Sequence, residues 1–173
     1  MMTGFLITIV LAGAAIALYL LYTSLAEKKK KKEWQRMIRQ FNRLGSSHGL
    51  QFSNREVLNQ AVIGIDSLQH KILILKKRGN HNALSRLISL PELKSCSVST
   101  KYGTSGTNKK ALLSGGPLES IALGFVFHNG QTEELVFYHH RINPIMEITS
   151  LANKARHWNT IIHKMLTTTQ KIA

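Results

Sequence analysis

The sequence predicts an α+β fold: an N-terminal transmembrane helix running into a basic amphipathic helix, then a small antiparallel β sandwich or barrel closed by a C-terminal α-helix. Three observations predict it. Residues 1–26 carry no charged side chain. Apolar runs with the two-residue period of strands recur between Ala61 and Phe137. The last apolar stripe, about 148–166, has instead the three-and-four spacing of a helix.

The first element runs from Gly4 to Ala26. At about 1.5 Å per residue it reaches ~35 Å, enough to cross ~30 Å of hydrocarbon with some tilt. Tyr19 and Tyr22 fall near its C-terminal end, where aromatic rings sit at headgroup level. Lys28, Lys29, Lys30, Lys31 and Lys32 then follow without a break, and the three residues ahead of the helix are uncharged. The positive-inside bias is unopposed, which puts the N-terminus outside and the C-terminal domain in the cytoplasm. A cleaved signal peptide would carry its cations ahead of a shorter apolar core. A pilin-type N-terminus would show an early acidic residue, and a buried core helix would be shorter with a polar face. The segment 1–26 is therefore read as an anchor.

The next segment, 27–45, is read as a juxtamembrane helix. Between Glu27 and Leu44 stand eight cations and two anions, a large share of the net +14 of the chain. Such an excess calls for an anionic neighbour, a lipid surface or nucleic acid. Trp34, Met37, Ile38, Phe41 and Leu44 recur at helical spacing, and Gly45 stands where a terminator is expected. Read as structure, the stripe packs on the domain or on a partner helix. Read as function, the lysine run with Trp34 and Arg36 grips anionic lipid, each cation near the surface contributing about 1 kcal/mol. The two readings are compatible. The domain boundary falls at Gly45-Ser46-Ser47, leaving 46–173 as one domain with its own core.

Within that domain Leu50 to Phe52 reads as a short strand or lead-in. Ala61–Asp66 and Lys71–Leu75 are strands joined by Ser67 to His70, the second apolar on both faces. Leu87–Leu90 and Ser95–Tyr102 are further short strands, and Gly103 to Gly116 reads as an exposed mobile loop. Ile121, Leu123, Phe125 and Phe127 alternate with smaller or polar residues, and Leu135 and Phe137 alternate again after Asn129-Gly130. A two-residue turn would move Leu135 and Phe137 onto the face of Ala122 and Gly124. A three-residue loop, His128 to Gly130, sets Leu123 opposite Leu135 and Ile121 opposite Phe137, and places Gly130 at the left-handed position. The three-residue loop is preferred. Both registers put a glutamate opposite Phe125. The chain closes with a helix from Ile148 to Leu166, its stripe made of Ile148, Leu151, Ala155, Trp158, Ile161, Ile162 and Met165, with Pro144 ahead of it.

Ile63-Gly-Ile-Asp66 with Lys71-Ile-Leu-Ile-Leu75, Leu93-Lys-Ser-Cys-Ser-Val98 and the terminal helix around Trp158 resemble the pleckstrin-homology-like (PH-like) architecture, over about Gly49 to Leu166. They are similar to segments of bacterial single-pass membrane proteins with a PH-like cytosolic part. The resemblance implies a scaffold that binds peptides, proteins or lipid headgroups, usually without catalysis, held at the inner membrane if the chain is bacterial. Phosphoinositide-binding members cluster cations between the first two strands; here that connection, Ser67 to His70, has only Lys71 beside it.

Motifs that carry chemistry are absent. His139 and His140 are adjacent, and on a strand they would face opposite ways and share no metal. His157 and His163 lie six apart, which is not one helix face. A single cysteine, Cys96, excludes an internal disulfide and reads as a small core thiol. No H-E-x-x-H, G-x-S-x-G, Walker or Rossmann pattern occurs. No catalytic residue, metal site or cofactor is therefore assigned, and the chain is read as a non-enzyme. One basic patch, Lys76, Lys77 and Arg78 with His81, lies in the connection after the second strand, either as a ligand or partner loop or as a solvated turn. With few aromatics to stack bases, it does not argue for nucleic acid. The expected function is a membrane-tethered binding module at the cytoplasmic face, with lipid at the anchor and lysine run and a protein or lipid headgroup at the domain. The alternative is an assembly subunit contacting other membrane proteins through the anchor and juxtamembrane helix.

Overall fold

A helix ends where the chain can close its last carbonyls, and that closure sets the first boundary here. The computed structural model describes residues 28, 31–78, 82–103 and 116–170. The expected anchor at 1–26, Lys29, Lys30, His81 and the 104–115 part of the expected loop lie outside them. Among the described residues no helix is long and apolar enough to cross a membrane. The chain forms two compact units, divided between Arg43 and Leu44. Helix α1 (31–47) accounts for most described residues of the first unit, and its last turn belongs to the second. Gly45 does not end it. Gly49 does, at φ 63°, with its amide on the Ser46 carbonyl (3.1 Å) and the Leu50 amide on the Gly45 carbonyl (2.9 Å). That pair of bonds is the Schellman closure, which requires a left-handed residue two places past the helix.

Segments too apolar to leave either face in water become central strands. In the second unit these are β2 (Ala61–Asp66) and β3 (Lys71–Arg78), held between β1 (Asn54–Val57) and β4 (Asn82–Ser89) in an antiparallel sheet ordered β1-β2-β3-β4. A one-turn 3-10 helix, Leu90–Glu92, leads into a second antiparallel sheet of β5 (Leu93–Tyr102), β6 (Leu118–Phe127) and β7 (Thr132–His139). A second 3-10 turn, Ile145–Glu147, begins after Pro144 and feeds α2 (Ile148–Gln170). Leu50 to Phe52 is not a strand, because the helix closure occupies it. The β3–β4 hairpin is longer than its apolar runs: Lys76 pairs with Leu84 and Arg78 with Asn82. Backbone ladders continue past the point where side chains turn polar.

The β6–β7 register matches the three-residue loop. Leu123 lies opposite Leu135, Phe127 N–H donates to the Gln131 carbonyl at 2.9 Å, and Gly130 is left-handed at φ 82°. Farther from the turn the register slips, and Ile121 pairs with Tyr138 instead of Phe137. The slip is a bulge, which lets two consecutive residues face inward. Phe137 and Tyr138 are accordingly both buried.

One core joins the two sheets and α2. Ile63, Ile65, Ile72, Ile74 and Ile88 meet Leu123, Phe125, Leu135 and Phe137, and α2 adds Leu151, Ala152, Ala155, Trp158, Ile162 and Leu166. The stripe is thus wider than its sequence spacing suggests, with Ile148, Ile161 and Met165 along its margin. Helix α2 packs on β5, β6 and β7. It also reaches both sheets by polar ties: His163 Nε2 lies 2.8 Å from the Cys96 carbonyl on β5, and Lys154 Nζ lies 2.9 Å from Glu56 Oε1 on β1.

The β2–β3 turn is built around Asp66, whose side chain is buried. Its Oδ1 accepts the amides of Leu68 and Gln69 at 2.9 Å each, and Oδ2 accepts the Gln51 amide at 2.6 Å. Burial alone would raise this carboxyl. The backbone bonds from Gln69, Gln51 and Leu68, with Lys71 nearby, outweigh it and hold the group below its ordinary value. Replacing Asp66 by Asn keeps an oxygen for Leu68 and Gln69 but sets an NH₂ against the Gln51 amide. We expect Asp66→Asn to cost about 1–3 kcal/mol in urea unfolding. The Asp66 contribution is complete above about pH 4, the unfolded value, and is lost as pH falls through the lower folded value. The gap between wild type and Asp66→Asn should therefore narrow in acid; a gap that widens there contradicts the assignment.

Candidate functional site

Two surfaces contain the residues singled out by the sequence. The first is α1 and the residue ahead of it. Lys28, Lys31, Lys32 and Arg36 are exposed, and Trp34 is half-buried. Helical spacing puts Lys32 and Arg36 on one line of α1, four residues apart.

The second surface is the mouth between the two sheets. Along β3 the inward positions read Ile72, Ile74 and then Lys76. Along β4 they read Ile88 and then Arg86, and along β7 Phe137, Leu135 and then Glu133. Where the apolar run stops the sheets are joined by charge. Lys76 Nζ lies 2.7 Å from Glu133 Oε1 and donates to the Glu134 carbonyl at 2.8 Å. Arg86 Nε lies 3.2 Å from Glu133 Oε2, with its guanidinium 5.6 Å from the centre of the Phe127 ring. Beside this cluster opens a cleft of about 370 Å³ lined by Leu84, Ser85, Arg86, Phe127, Gln131, Thr132 and Glu133. Strand β4, which forms one wall, pairs only with β3 among the described residues and exposes Leu84 and Leu87. The cleft thus combines an edge strand, an aromatic floor and one shared carboxylate. It offers an extended peptide main-chain partners and apolar purchase.

The expected Lys76–Arg78 loop is corrected by this geometry. All three residues belong to β3, and Lys76 is bound to Glu133 across the sandwich. Lys77 and Arg78 are exposed at the strand end. The residues that do line the cleft were not singled out from the sequence. One signal was present: the three-residue loop places Glu133 opposite Phe125, an inward position where a lone carboxylate needs partners.

Cys96 is buried, and burial pushes its thiol up to about 12, so it is no nucleophile at neutral pH. His139 and His140 do not diverge. Their rings stack, with centroids 4.9 Å apart and planes 20° from parallel. Strand alternation fails here because His139 ends β7 and His140 begins the turn. A search of protein-family models, curated proteins and solved structures returned no match to the chain.

Glu133→Gln should destabilise the second unit by about 1 kcal/mol, since both ion pairs are partly solvated. A double-mutant cycle with Lys76→Met should show coupling on the order of 0.5 kcal/mol or more; additive effects would mean the pair does not join the sheets. Cys96 should label with a maleimide only as fast as the protein unfolds, and rapid labelling of the native chain would contradict its burial.

Proposed function

We propose that the chain is a membrane-tethered, non-enzymatic binding module whose C-terminal unit recognises a protein partner at the cytoplasmic face. The observation that carries this reading is the contrast between the two groups of cations. Lys28, Lys31, Lys32 and Arg36 are exposed beside the uncharged stretch 1–26, as a lipid contact requires. Lys76 and Arg86, at the cleft, instead share the Glu133 carboxylate. A phosphate-bearing headgroup would have to displace that carboxylate, whereas an extended peptide along β4 would not. The order of four strands, three strands and a C-terminal helix supports placing the unit among PH-like domains.

The test is co-sedimentation with mixed phosphatidylserine–phosphatidylcholine vesicles. A chain beginning at Glu27 is compared with the same chain carrying glutamine at positions 28–32 and 36. We expect the first to bind, its binding to fall with salt, and the second to remain in the supernatant. Equal binding by both would move lipid recognition to the domain and remove the argument for a peptide. Binding by neither would favour an assembly subunit whose helix meets partner helices.

A further inference from the structure

Alternation sends neighbouring strand residues to opposite faces only while both stay in the ladder. At the end of β7 one of them leaves it. His139 still pairs with Ser120 of β6, but His140 opens the 140–143 turn and donates its amide to the Glu119 carbonyl at 3.0 Å. The turn is firmly tied. The Ile142 and Asn143 amides both reach the His139 carbonyl at 2.9 Å, and His139 N–H donates to Asn143 Oδ1 at 3.1 Å. Asn143, itself buried, donates through Nδ2 to Glu147 Oε2 at 3.2 Å. This frame stacks the two imidazoles and sets the Glu119 carboxylate beside them. One ligating atom from each of Glu119, His139 and His140 lies within 4.8 Å of the others.

We propose that Glu119, His139 and His140 form a site for a divalent transition-metal cation of the zinc class. Two imidazoles and one carboxylate suit zinc, cobalt, nickel or copper, whereas magnesium and calcium favour all-oxygen shells. Zinc bonds of about 2.0–2.2 Å put tetrahedral ligands roughly 3.4 Å apart. The groups therefore close by no more than about 1.4 Å on binding. Glu119 and His139 are half-buried and His140 is exposed, so two partly framed ligands and one free to swing can make that adjustment.

The ring of His139 has one competing contact. The Arg141 amide donates to its Nδ1 at 3.2 Å, which places the proton on Nε2. Coordination at Nδ1 displaces that amide. Coordination at Nε2 moves the proton to Nδ1, where it opposes the same amide. Either way the bond lost is a long one. Three protein ligands leave a fourth position open to water or to a group from a partner. The ion would tie the start of β6 to the turn that leads into α2.

The test uses the full chain in detergent and zinc as the probe. Equilibrium dialysis should find one zinc per chain lost in His140→Ala, with affinity at least about tenfold weaker. Glu119→Gln should weaken it likewise, and His157→Ala, an exposed histidine on α2, should not. Since His140 is exposed, His140→Ala should unfold at the wild-type temperature without metal, and zinc should raise the melting temperature of wild type and His157→Ala but not of His140→Ala. Failure of wild type to bind zinc would overturn the proposal. So would wild-type affinity retained in both His140→Ala and Glu119→Gln.

Discussion

The second unit depends on how far the inward positions of two facing sheets stay apolar. Isoleucines of β2 and β3 lie against leucines and phenylalanines of β6 and β7, and burial of that surface is the main favourable term. Each strand leaves this regime at the same end of the sandwich. Lys76 follows Ile74, Arg86 precedes Ile88, and Glu133 precedes Leu135. A carboxylate at an inward position would be costly alone, and two cations from the opposite sheet make it tolerable. The cleft opens beside that cluster.

The other boundary of the core is closed by α2. Helix α2 lays its broad apolar stripe on β5, β6 and β7, adding a layer to the core at the three-stranded sheet. Trp158 is the largest side chain in that interface, and α2 holds to β1 through Lys154 and to β5 through His163. Such solvated ties contribute little energy. They fix where along the sheets the helix lies, while the buried stripe supplies its stability.

The distribution of charge then bears on recognition. Cations on α1 are exposed, and cations at the cleft are engaged by Glu133. Cations alike in sequence thus have different surroundings, because Glu133 engages one group while the other is exposed on the helix surface. The histidines show the same dependence on position. His157 and His163, on one helix, do not meet, with His163 turned to the Cys96 carbonyl, while His139 and His140 stack because a turn begins between them.

By itself the sequence determined the α+β class, the strand segments that begin at Ala61 and Lys71, the terminal helix and the β6–β7 loop. These follow from local periodicity and from Asn129-Gly130, whose backbone preference acts over three residues. It also marks the uncharged stretch and the lysine run as a unit of composition. Tertiary structure decided what those patterns leave open. Gly49 rather than Gly45 stops α1, because the closing bonds need a left-handed residue at one exact offset. A bulge turns both Phe137 and Tyr138 inward, which no two-residue period encodes. Glu133 found Lys76 and Arg86 because two sheets facing each other bring together residues dozens of positions apart. Pairings of that kind arise from packing, and a single sequence read along its length does not contain the distance between sheets.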